Sequence, residues 1–163
     1  MLIHASCVLF CGKGVLLTGE SGSGKSDLAL RLIESGGVLV SDDETDVFCD
    51  DKGVLKASAP EKLQGLLEIR HIGIFRFPFE KEAQVAAVFR LLPENKDIPR
   101  LPDIQMISYF QKEDQDEPFV SAENTLTFSP AVPFFDLHPF ESSAVCKIKT
   151  VLKQNGLPLD MLL

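Results

Sequence analysis

At 163 residues, 45% of them hydrophobic, the sequence has the size of one domain and enough apolar mass for a buried core. Its net charge of -8 and isoelectric point near 4.8 argue against nucleic-acid and anionic-membrane partners, which call for clustered Lys and Arg. No apolar run approaches membrane-spanning length, and the first residues lack the basic start and cleavage site of a secretion signal, so a cytoplasmic protein is expected.

Met1 to Phe10 is rich in strand formers, and Gly12-Lys13-Gly14 is a turn before the next apolar run, which predicts a hairpin. His4 lies in the first of its strands, expected to neighbour the strand Val15 to Thr18. That strand enters Gly19-Glu20-Ser21-Gly22-Ser23-Gly24-Lys25-Ser26, which matches the phosphate-loop pattern G-x-x-x-x-G-K-[ST] at every fixed position. The glycines let backbone N–H groups turn inward around phosphate, Lys25 adds a full positive charge for the β and γ phosphates, and the Ser26 hydroxyl suits Mg²⁺. Leu28, Ala29, Leu32 and Ile33 then give a helix, ended by Gly36-Gly37.

Val38-Leu39-Val40 reads as a buried strand running into Ser41-Asp42-Asp43, so carboxylates arrive at a strand's C-terminal end, where open α/β sheets bind ligands. Consecutive strand residues face opposite ways, so both acids line one site only if the chain turns after Asp42. Thr45 to Ala57 predicts a hairpin turning at Asp50 to Gly53. In Leu66 to Phe75, Glu68, Arg70 and His71 interrupt an apolar run. On a strand Glu68 and Arg70 share a face, which leaves a metal role or a structural ion pair open for Glu68. Gln84 to Leu92 is a further strand. Positions 98–132 read as a loop, loose hairpin or insertion carrying the acidic run Gln111 to Pro118. A closing helix follows from Pro139 to Gly156 with Ala144, Val145, Ile148, Val151 and Leu152 on its apolar face, and the tail Leu159 to Leu163 is expected to pack on a surface or on another subunit. The four cysteines form no C-x-x-C pair and are expected to be buried reduced thiols.

Taken in order, these residues resemble the catalytic domain of bacterial HPr kinase/phosphorylase, in its short alphaproteobacterial form. The marks are His4 before the loop hairpin, the strand ending in Asp42-Asp43, Leu67 to Arg76 against a signature of the form L-E-[IV]-R-G-[IL]-G-I, and Leu137 to Ala144. The resemblance implies a single α/β domain over 1–163, a P-loop fold with a mixed central sheet flanked by helices, like that of phosphoenolpyruvate carboxykinase. It implies an ATP- and Mg²⁺-dependent protein serine kinase that phosphorylates HPr of the sugar phosphotransferase system, and removal of that phosphate by phosphorolysis in many members. By the same resemblance Asp42 is the base, Lys25 binds phosphate, Ser26 and Glu68 hold Mg²⁺, and His4 and Arg70 assist catalysis. The implied assembly is a homo-oligomer, a hexamer.

The sequence departs from the family in having His71 where the signature has Gly, and the regulatory N-terminal domain of longer members is not expected. Longer members also place an arginine in a loop over the site, whereas no Lys or Arg occurs between Lys112 and Lys147. Two other functions compete with this one: a small-molecule P-loop kinase, whose basic lid the acidic run contradicts, and a non-catalytic ATP-binding regulator. A GTPase is rejected because Asn95-Lys96-Asp97 brings the acid of N-K-x-D one residue too early.

Overall fold

The computed structural model describes residues 1–103, 105–109, 119–121 and 131–154. The acidic run at 111–118, the helix end at Gly156 and the tail from Leu159 lie outside the described residues. The chain is a mixed α/β structure, as the sequence predicts. Its central sheet forms around β3 (Lys13–Thr18), whose Val15, Leu16 and Leu17 are all fully buried, the mark of a strand covered on both faces. On one side β3 pairs antiparallel with β2 (Ser6–Phe10), which in turn pairs with β4 (Val38–Ser41). On the other side lie β9 (Glu82–Leu91) and β12 (Val132–Leu137), both parallel to β3, and then the antiparallel pair β10 (Gln105–Tyr109) and β11 (Phe119–Ser121).

A second, antiparallel group is made of β1 (Leu2–His4), β5 (Glu44–Cys49) and β6 (Leu55–Ser58), and it joins the first where β6 pairs with the start of β9. The β3–β9 register slips between Gly14 and Val15, leaving Ala86 as an extra residue in β9. This bulge reverses the side-chain alternation, so Ala83 and Val85 pack with Leu16 while Ala87, Phe89 and Leu91 pack with Val15 and Leu17 on the opposite face. That opposite face carries both helices, α1 (Lys25–Glu34) through Leu28, Ala29 and Leu32, and α2 (Ala144–Lys153) through Ala144, Ile148 and Leu152. Among the described residues no helix is long and apolar enough to cross a membrane.

Several expectations change. The first ten residues are two strands with different partners: β2 makes the hairpin with β3, but β1, which carries His4, pairs with β5 and is not a neighbour of the loop strand. Leu66 to Phe75 is likewise two strands, β7 (Leu66–Ile69) and β8 (Gly73–Arg76), forming a separate hairpin. Residues 139–143 are a turn, so the last helix starts at Ala144. Within 98–132, β10 and β11 pair antiparallel, and β12, at Val132–Leu137, is a strand that the sequence reading does not include. Only Cys7 is buried; Cys11, Cys49 and Cys146 are exposed, and none of the four is in a disulfide.

Candidate active site

Because β3 and β4 run the same way with β2 antiparallel between them, one edge of the sheet gathers the end of β3, the end of β4 and the start of β2. The phosphate loop leaves from that edge. Gly19 holds φ 138° and Gly24 φ 93°, conformations that side chains rarely adopt. A Cβ on Gly19 would lie 2.8 Å from the Leu91 carbonyl oxygen, and one on Gly24 would lie 2.8 Å from Cζ of Phe140, so both positions exclude a side chain for lack of room as well. Lys25 Nζ donates to the carbonyls of Gly19 and Glu20, each at 2.8 Å, which holds the loop curled around its own lysine. Burial pulls the Lys25 ammonium below its ordinary pKa, against the opposing pull of Asp43 and Asp42. Ser23 Oγ is buried in the same loop with no hydrogen-bond partner.

The two aspartates at the end of β4 have different surroundings. Asp42 is 5% exposed and accepts hydrogen bonds at Oδ1 from Ser6 Oγ at 2.7 Å and from Ser26 Oγ at 2.8 Å, and at Oδ2 a longer one from the Glu68 backbone N–H at 3.4 Å. Asp43 then takes φ 67° and the Glu44 N–H bonds back to the Asp42 carbonyl at 2.8 Å, a γ-turn that swings the next side chain out of strand alternation. Its carboxylate is 72% exposed and lies 3.1 Å from His4 Nδ1. Strained backbone of this kind persists where neighbouring structure over-determines it, often at functional sites. Asp43 and His4 line a cleft of about 430 Å³ together with the phosphate loop, Glu68, Arg70 and Phe140.

The β7–β8 hairpin reaches the cleft from the other side. Glu68, Arg70 and His71 are exposed, not buried in an apolar strand as the sequence suggests, and so are Ile72, Ile74 and Phe75. Glu68 and Arg70 do not pair with each other; Arg70 lies in the turn beyond β7, not two along a strand. His71 sits in that turn at φ 66°, a left-handed position where the family's Gly would be unstrained. Among the described residues no group of three or more His, Cys, Asp or Glu would hold a metal alone. The oxygens present, from Ser26, Asp42, Asp43 and Glu68, are the hard donors that suit Mg²⁺, an ion that commonly takes the rest of its shell from phosphate and water.

A family model described as "HPr Serine kinase C-terminal domain" matches residues 1–79, the span that holds the loop, both aspartates and the β7–β8 hairpin. Over those residues, just under half of the chain, it is similar to the HPr serine kinase family. It is 50% identical over 72 residues to the HPr kinase/phosphorylase of Geobacillus sp. (strain WCH70), and 49% identical over 72 residues to that of Lactiplantibacillus plantarum. In each case 44% of this chain is aligned and 23% of the relative, so the match spans under a quarter of those proteins' length. The structure of the HPr(Ser) kinase/phosphatase from Coxiella burnetii superposes with a TM-score of 0.71 at 23% identity, covering 94% of this chain and 95% of that one. The fold is therefore shared well beyond residue 79.

Of the site residues expected from sequence, the cleft brings together His4, Ser21, Gly22, Gly24, Lys25, Ser26, Glu68 and Arg70, while Asp42 is buried and reaches it through the Ser26 hydroxyl. Two further residues had escaped notice. Ser6, a hydroxyl in an otherwise apolar strand, had a visible signal, since a buried polar group requires a partner. Phe140 lies within the matched stretch Leu137 to Ala144, but a lone aromatic next to a proline reads as ordinary packing, so the sequence assigns it no role.

Proposed function

We propose that this chain is the phosphoryl-transfer domain of an ATP- and Mg²⁺-dependent protein serine kinase acting on HPr in the cytoplasm, and that the same site removes the phosphate by phosphorolysis. The observation that carries the reading is the division of labour at the end of β4. Asp42 is buried and holds the Ser26 hydroxyl, while Asp43 opens into the cleft beside the phosphate loop and His4.

Lys25 and the loop N–H groups bind the β and γ phosphates, and Ser26 and Glu68 would hold Mg²⁺, which when bound neutralises charge on the transferred group. A base must come within about 3 Å of the proton it takes. Asp42 cannot meet a protein substrate's hydroxyl while it is buried and engaged by Ser6 and Ser26, so we reassign the base from Asp42 to Asp43. Asp43 accepts the serine proton as the serine oxygen bonds to the γ-phosphorus and the bond to ADP breaks. In reverse, the carboxyl returns that proton to the serine oxygen as inorganic phosphate takes the phosphoryl group. His4 Nδ1 orients Asp43, and Arg70, on the hairpin that lines the cleft, meets the phosphoryl oxygens. The assembly we propose is a homo-oligomer, a hexamer, which light scattering measures directly.

Incubation with ATP, Mg²⁺ and purified HPr, read by mass, tests the activity. One added phosphoryl group on an HPr serine supports it; ATP binding with no transfer would favour the non-catalytic regulator.

A further inference from the structure

We propose that the face of Phe140 is the nucleobase platform of this cleft, an inference that rests on the nucleotide reading above. Phe140 follows β12, which runs parallel to β3, so the turn at 138–141 leaves the sheet at the same edge as the phosphate loop. Its ring lies against Gly24, where the absence of a Cβ is what allows the approach, and it lines the same cleft as Lys25 and Ser26.

Phe140 is 58% exposed, although nearby apolar side chains of β12 and α2 are buried. An exposed ring would ordinarily be free to move, but this one stands on a fixed turn. Arg31 of α1 donates to the Pro139 carbonyl and, at 3.5 Å, to that of Glu141, while Asp27 holds the Arg31 guanidinium at 3.0 Å. On the far side His138 Nε2 meets the Lys96 carbonyl at 2.8 Å. The clamp reaches back to α1, the helix that the phosphate loop opens, so loop and ring are set relative to each other before any ligand arrives. A rigid aromatic face next to a phosphate cradle suits a planar base attached to those phosphates, because stacking needs a flat apolar partner and loses little freedom when that partner is already fixed. Stacking reads the face of a base rather than its edge, so it strengthens nucleotide binding without depending on hydrogen bonds to adenine.

The test compares Mg-ATP with Mg-tripolyphosphate, which has the phosphates and no base, by calorimetric titration of the full chain at one ionic strength. Phe140→Ala is expected to weaken ATP by roughly 5- to 150-fold, the range for losing one base stack, and to leave tripolyphosphate within about twofold. Phe140→Trp should keep ATP affinity, and Phe140→Leu, which still covers Gly24, should lose it as Ala does. Equal weakening of both ligands by Phe140→Ala would show that the ring merely supports the loop and would overturn the proposal, as would unchanged ATP affinity in the Ala and Leu variants. If the unaltered chain binds neither ligand, the phosphate-loop reading itself fails, and the platform with it.

Discussion

Asp42 and Asp43 differ by one position and should fail in opposite ways when each is replaced by Asn. Asp43 is 72% exposed and sits at φ 67°, a conformation Asn tolerates well, so Asp43→Asn should alter stability by no more than about 0.5 kcal/mol. It removes the group we assign as base, and transfer should fall by roughly 10²- to 10⁴-fold, about 3–5 kcal/mol of barrier. Asp42→Asn acts on buried hydrogen bonds. Ser6 and Ser26 both donate to Oδ1, so an amide oxygen in that place keeps both partners, but each bond falls from the roughly 1.5–3 kcal/mol of a charged acceptor to about 0.5–1.5 kcal/mol, and the amide NH2 turns a donor toward Ser26 Oγ and the Glu68 N–H on the Oδ2 side. A loss of about 2–4 kcal/mol is expected, which for a chain of this size lowers Tm by roughly 5–15 °C. With Ser26 held less tightly by a neutral acceptor, the Mg²⁺ concentration for half-maximal rate should rise, while the rate at saturating Mg²⁺ stays within about tenfold of the unaltered protein. Single-turnover transfer to HPr across a Mg²⁺ series, with thermal melts of both variants, separates these effects. An Asp43→Asn variant of near-normal rate beside an inactive Asp42→Asn variant with an unshifted melt would refute the assignment and return the base to Asp42.

Glu68 is exposed and unpaired, so Glu68→Gln should leave the melting temperature within about 1 °C while raising the Mg²⁺ requirement; a lower melt with unaltered Mg²⁺ dependence would make it a structural residue. His71 occupies a left-handed position at φ 66°, and His71→Gly should stabilise the chain by about 0.5–1 kcal/mol, net of the greater freedom of unfolded Gly, as read by denaturant unfolding. For Cys7, burial raises the thiol pKa from 9.0 to about 12. Between those values the unfolded thiol has lost a proton that the folded one keeps, so stability should fall as pH rises from 9 toward 12, and Cys7→Ala should flatten that slope. In the native protein a thiol reagent should label Cys11, Cys49 and Cys146 and spare Cys7.

The elements legible in the sequence are those whose reasons are local. The phosphate loop needs Gly where the backbone turns left-handed and where a neighbour leaves no room, and both demands are written in residue type at fixed spacing. The same holds for the helix that follows it, closed by Gly36-Gly37, and for the hairpin turning at Asp50 to Gly53, where Asp50 Oδ1 accepts from the backbone N–H groups of Lys52 and Val54. His71 is legible only in part, since a signature Gly marks either a left-handed backbone or a close packing contact, and it is the structure that gives φ 66° there.

What the sequence left open depends on which distant segments meet. The apolar run Leu66 to Phe75 has the composition of a buried strand, yet it folds back on itself and exposes most of its side chains, because burial is set by what covers a strand and not by its own hydrophobicity. Likewise β1 and β2 look like one strand until β1 pairs with β5. Asp42 and Asp43 are chemically identical neighbours, and no local rule ranks them. Their roles diverge because β2 brings Ser6 against one carboxylate, while a γ-turn and His4, which β1 carries beside the end of β4, direct the other into the cleft. The phosphate-loop pattern is carried by residue types at fixed spacing within eight consecutive residues; the choice of base also depends on distant contacts, Ser6 and Ser26 with Asp42 and His4 with Asp43, which exist only once the sheet has closed.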